Sequence, residues 1–215
     1  MAEVIPAIIP KSLQDLSSHL EIVRGLTPWV QIDICDGVFV PSRSWPYGSD
    51  ADFQRIVSQE EGLPMWQDFD FEIDLMTSKP EKVASDWVAA GATRLIFHFE
   101  SSPDVPMLLK KYCDPGLLEV GVAINIDTPN EAIEKLIPEV DVIQFMGIDH
   151  LGFQHEHFDE KVLSKISDMR RAYPDVIISV DGGVHIGSAE KLVEAGVNRL
   201  VAGSAIFDGS NPRET

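Results

Sequence analysis

Three aspartates, Asp33, Asp74 and Asp181, each close an apolar run, in "VQID", "FEID" and "ISVD". A carboxylate that follows a buried strand without a break must be paired or must face an open mouth. Three of them brought from distant parts of the chain to one mouth can take and return protons, or can hold a divalent cation. Gln31 stands two residues before Asp33 and so shares its side of an extended strand. His98, Glu100, Asn125 and Asp127 occupy comparable positions at the ends of other apolar runs. Asp36 reads differently: Asp-Gly is turn chemistry, and Asp36-Gly37 reverses the chain. His98, between Phe97 and Phe99, reads two ways, as a satisfied interior histidine or as one that supports neighbouring site residues. His150, His155 and His157 of "HLGFQHEH" read as solvated loop residues with adventitious affinity for a transition metal.

A second kind of chemistry is written in glycines. "DGGV" (181–184) and "AGSAIF" (202–207) follow two consecutive apolar runs near the end of the chain. Glycine lets backbone amides approach an anion with no Cβ in the way, so Gly182, Gly183, Gly203 and Ser204 form a candidate phosphate site. The charge balance makes local amides necessary, because 17 Lys+Arg against 35 Asp+Glu leave the chain at −18. Such a field disfavours nucleic acid and anionic membrane surfaces as partners.

The elements that must position these groups alternate. Eight short strands are expected at Val4–Ile9, Trp29–Asp33, Phe71–Leu75, Arg94–His98, Glu119–Ile124, Asp141–Phe145, Ile177–Val180 and Arg199–Ala202. Helix-period segments at Ser12–Val23, Lys79–Ala90, Thr128–Leu136, Asp159–Ala172 and Ser188–Ala195 lie between them. Strand and helix in alternation predict a parallel sheet, and eight strands close a TIM (β/α)8 barrel, an α/β fold, over residues 1–215 as one domain. The phrases "AGATRL" (90–95) and "AGVNRL" (195–200) repeat one helix-to-strand connection. After the eighth strand, "GSAIFDGSNPRET" leaves no room for a full eighth helix, and the resulting gap in the outer ring favours a homo-oligomer. Cys35 and Cys113 have neither metal-ligand nor redox spacing, which predicts reduced thiols and no disulfide. The start "MAEVIPAIIPKS" has neither a signal peptide's pattern nor a membrane span's, so the cytoplasm is expected.

These motifs, in order and spacing, resemble the ribulose-phosphate 3-epimerase family along nearly the whole chain. The family reads roughly Ile-His-Ile-Asp-Val-Met-Asp-Gly-x-Phe-Val-Pro, Asp-Val-His-Leu-Met, His-x-Glu, Val-Asp-Gly-Gly and Ala-Gly-Ser-Ala-x-Phe. Here the counterparts are "VQIDICDGVFVP", "FEIDLM", "FHFE", "SVDGGV" and "VAGSAIF". The resemblance implies a sugar-phosphate isomerase that interconverts D-ribulose 5-phosphate and D-xylulose 5-phosphate through an enediolate. Asp33 and Asp181 would be its acid and base, and the glycine loops would hold the phosphate. Met76 and Met146 would contact the substrate.

The resemblance also implies a divalent metal held by two aspartates and two histidines, and both histidines are replaced. Gln31 and Asp74 stand in their places, Ala7 replaces a serine of strand one, and "MGIDHLGFQHEHF" keeps Met146 but loses the Pro-Gly and Gly-Gly pairs of the family's lid. Two outcomes follow. Gln31, Asp33, Asp74 and Asp181 could form an all-oxygen set that favours Mg²⁺ or Mn²⁺ over Zn²⁺. With no metal, crowded carboxylates would raise one another's pKa, and a protonated Asp74 could donate to an enediolate oxygen. Two other functions fit the same motifs: an aldol or decarboxylation enzyme on a related phosphosugar, and a phosphosugar-binding protein without turnover. Against the first, "DICD" (33–36) lacks the Asp-x-Lys-x-x-Asp pattern of that related group.

Overall fold

The computed structural model of the chain describes residues 2–113, 118–153 and 155–209. Eight parallel strands close on themselves in chain order: β1 (Glu3–Ile8), β2 (Trp29–Cys35), β3 (Asp70–Met76), β4 (Arg94–His98), β5 (Glu119–Ile124), β6 (Val142–Met146), β7 (Ile177–Asp181) and β8 (Arg199–Ala202). Outside them run α1 (Leu13–Val23), α2 (Ala51–Val57), α3 (Pro80–Ala89), α4 (Val105–Tyr112), α5 (Lys161–Ala172), α6 (Ile186–Ala195) and α7 (Ser204–Phe207). This is the (β/α)8 architecture. The outer ring ends, among the described residues, in the one-turn α7.

Local chemistry explains the helix ends. The Ser12 hydroxyl accepts the Asp15 amide at 3.1 Å and caps α1, and Pro80 opens α3, where its missing N–H costs nothing. Gly196, at φ +111°, ends α6 in the left-handed conformation that glycine tolerates. One expectation is corrected, and two helices lie where none was expected. Thr128–Leu136 is not an α-helix: despite its cap-like "TPNE", it contains only the 3₁₀ turn Asn130–Ala132, with a second at Ile137–Glu139. The helices α2 and α4 went unread because, at seven and eight residues, they span barely two turns of apolar repeat. Among the described residues no helix is long and apolar enough to cross a membrane. Cys35 is buried and Cys113 exposed, and both are free thiols.

Alternation along each strand separates two interiors. Val30, Ile32 and Ile34 of β2 join Leu16 and Leu20 of α1 in the main core between strands and helices. Gln31, Asp33 and Cys35 point the other way, and Cys35 packs with Met76, Ala123 and Met146 inside the barrel. The barrel floor is ionic. Glu72 Oε2 accepts from Arg94 Nη1 at 2.6 Å and from Arg199 Nη1 at 2.7 Å, and both guanidinium groups lie over the Trp29 ring. The two arginines are the same position of the repeated "AGxxRL" phrase, so the repeat delivers a matched pair to one buried carboxylate.

Candidate active site

The site is built from residues two apart on neighbouring strands. Asp33 and Asp74 are register partners in β2 and β3, as are Gln31 and Glu72 one layer below. Asp181 ends β7 beyond β1 and β8. One ligand oxygen from each of Asp33, Asp74 and Asp181 lies within 4.8 Å of the other two, so the three aspartates read from the sequence do converge.

Gln31 joins two of them. Its Nε2 donates to Asp33 Oδ1 and to Asp181 Oδ2, both at 2.7 Å. Asp74 is held separately: His98 Nε2 lies 2.9 Å from Oδ1, and Gln144 Nε2 donates to Oδ2 at 3.1 Å. Both Asp74 oxygens are thus engaged, one by the His98 ring and one by the Gln144 amide. Gln31, Asp74, His98 and Gln144 are fully buried, whereas Asp33 and Asp181 retain 5% and 9% of their surface. Asp33 and Asp181 line the open cleft, whereas Asp74 is enclosed beside them.

Burial and mutual repulsion set the protonation. Burial, with Asp181 and Asp74 close by, holds the Asp33 carboxyl well above the ordinary carboxylate range. Burial, then the charge of Asp74, pushes Asp181 up to about 7. For His98, burial opposes the charged ring, but the Asp74 carboxylate outweighs it and the imidazole pKa is raised.

The remaining predicted residues separate clearly. Met76, Met146, Gly182, Gly183, Gly203 and Ser204 all line the same cleft, whose volume is about 360 Å³. Gly182 and Gly183 adopt φ +94° and +67°, the left-handed pair that turns the chain there. Asp36 is a turn residue, as read: its Oδ1 accepts the Val38 and Phe39 amides at 2.8 Å, and Oδ2 accepts Ser78. Although partial burial opposes it, these donors lower the Asp36 pKa. Glu100 leaves the site altogether, its Oε1 accepting the Asn125 amide and the Thr128 hydroxyl. The loop histidines form no metal-ligating group among the described residues. His150 faces Glu156, while His155 reaches Asp208 at 2.5 Å across the cleft mouth. Gln144 was missed. Its signal was present in "VIQFM", a lone polar residue in an apolar strand, the same signal that marked Gln31.

The donor set fits a hard divalent cation. Three carboxylates crowd one place, and Gln31 Oε1 is buried with no partner, so turning its terminal amide by half a revolution would present an oxygen to the same spot.

Comparison with known proteins shows the family. The family model "Ribulose-phosphate 3 epimerase family" matches residues 3–207. A ribulose-phosphate 3-epimerase of Bacillus subtilis is 29% identical over 100% of this chain and 96% of its own length. The chloroplastic ribulose-5-phosphate-3-epimerase of Arabidopsis thaliana is 31% identical over 98% of this chain and 73% of its own. The fold is shared with the solved structure of KGPDC from Streptococcus mutans, at a TM-score of 0.72 and 13% identity over 99% of this chain and 93% of that one.

Proposed function

Because the chain belongs to the ribulose-phosphate 3-epimerase family, a family of carbohydrate epimerases, we propose that it interconverts D-ribulose 5-phosphate and D-xylulose 5-phosphate. The carrying observation is the pair Asp33 and Asp181, two carboxylates from different strands that share one amide and both border the cleft. Inverting a carbon next to a ketone needs a base on one face and an acid on the other. Two neighbouring carboxyls with raised pKa values suit that exchange, one serving as base and the other as acid in either direction. Gln31 keeps their oxygens in place while a proton moves. The glycine amides of the two terminal loops receive the phosphate, and Met76 and Met146 pack against the sugar. Both methionines are apolar walls that exclude water from the reacting carbons.

Asp33, Asp74, Asp181 and the oxygen of Gln31 are the residues that would hold Mg²⁺ or Mn²⁺ in preference to Zn²⁺, since none of the four is a nitrogen or sulfur ligand. Such an ion supplies positive charge for the oxygens of an enediolate. Two free thiols support a reducing cytoplasm.

The test is an assay of ribulose 5-phosphate epimerisation with Mg²⁺, Mn²⁺, Fe²⁺ or Zn²⁺ and with none, alongside Asp33→Asn and Asp181→Asn. Absence of turnover under every condition would remove the epimerase reading. Turnover that survives both substitutions would remove the assigned roles.

A further inference from the structure

The cleft has an unusual deficiency for a site that takes a dianionic phosphate. Among the described residues no lysine or arginine lines it, and Asp33, Asp181, Glu156 and Asp208 do. Side-chain donors at the glycine end must therefore be neutral or histidine. Two histidines line the cleft, and one of them is occupied: His155 Nε2 is engaged by Asp208 Oδ2 at 2.5 Å.

The other is His185, next to Val184 and two residues from Gly183. It is the N-cap of α6, and its Nδ1 accepts the Gly187 amide at 3.0 Å. The Ser188 hydroxyl in turn accepts the His185 amide, which fixes the backbone of the cap. A nitrogen that accepts an N–H carries no proton of its own. The cap thus selects the tautomer with hydrogen on Nε2 and pins the ring. Among the described residues Nε2 has no hydrogen-bond partner.

We propose that His185 is a substrate-binding residue whose Nε2–H donates to the phosphate of the sugar substrate beside the glycine loops. The proposal rests on the phosphosugar reading above and adds an imidazole donor to its glycine amides and Ser204. The helix cap makes the donor rigid, so little rotamer freedom is lost on binding.

The variant His185→Asn separates cap from donor, because the asparagine oxygen also accepts an N2 amide at an N-cap while its side chain is too short to replace Nε2. Binding of inorganic phosphate and of ribulose 5-phosphate should weaken about ten-fold, the size of one hydrogen bond to a charged group. KM should rise by a similar factor with kcat held, and the thermal midpoint should stay. In the unsubstituted protein, the ¹⁵N resonance of His185 Nε2 should move when inorganic phosphate is added. Equal affinity in the variant, or an Nε2 resonance that does not respond, overturns the role of His185 and leaves the phosphosugar reading standing. Failure of the unsubstituted protein to bind phosphate or ribulose 5-phosphate overturns both.

Discussion

Gln31 places a single Nε2 at 2.7 Å from Asp33 and at 2.7 Å from Asp181, so one neutral amide ties together carboxylates from β2 and β7. Removing it leaves two buried acids facing each other with no donor between them. Gln31→Leu should lower the unfolding free energy at neutral pH by roughly 1–3 kcal/mol, measured by urea denaturation. Its turnover should fall as well, and a variant as stable and active as the parent would show that the bridge does nothing.

Substitution of the paired acids separates chemistry from folding. Asp33→Asn and Asp181→Asn should each reduce kcat by about 10²–10⁴-fold, the usual share of one positioned proton carrier. Neither should lower the thermal midpoint, because each removes a buried charge whose neighbours repel it. A lower midpoint in both would mean that the carboxylates are structural.

Stability should depend on pH with a definite sign. Asp181 is raised from 3.8 to about 7, so between those values the folded protein keeps a proton that the unfolded chain has released. Folding is then favoured most at the acid end of this window and loses stability as pH rises through about 7, by a few kcal/mol. Asp33 adds to the same slope, its pKa being raised by burial and the same neighbours. Denaturant midpoints between pH 4 and 8 should show this decline as the site's contribution, and Asp181→Asn should flatten it.

Divalent cations should act in the opposite direction at neutral pH. Mg²⁺ or Mn²⁺ at a hundred-fold excess over its dissociation constant should stabilise the fold by about 2.7 kcal/mol, and Asp74→Asn should remove most of that gain. The double variant Gln31→His with Asp74→His should shift preference toward Zn²⁺, since imidazole replaces oxygen at two of four ligands. Calorimetric titration of the metal-stripped protein measures both.

The barrel floor gives a prediction independent of the reaction. Arg199→Met leaves Glu72 with one of its two arginines, deep in the barrel and without water. A cost of about 3–5 kcal/mol is expected for breaking a buried ionic group in this way. Pairing the change with Glu72→Leu should recover part of it.

Much of this was legible in the amino-acid order. Strand periodicity, the three aspartates at strand ends and the paired glycine loops were enough for the barrel, the family resemblance and the convergence on one mouth. Those features are local: they follow from which residue types alternate, cap and turn. Asp36 could be set aside from sequence for the same reason, because an Asp-Gly turn is decided by four neighbouring residues. The α-helix expected at Thr128–Leu136 failed because a cap-like start does not guarantee enough apolar repeat to hold the turns that follow.

What needed the tertiary structure was everything that depends on which side chains face each other across the barrel. Sequence placed Gln31 and Asp74 where the family has histidines, but their separation of 43 positions says nothing of contact. Closure of the sheet decided that Gln31 reaches Asp181, 150 residues away, that Gln144 and His98 hold Asp74, and that of the three aspartates Asp33 and Asp181 remain open to the cleft. It also set the protonation of the pair, since burial and the distances between charges exist only once eight strands have met. Residue types and their order determine the parts of this site; the enclosure that raises the pKa values of two aspartates bridged by one amide is a property of the fold.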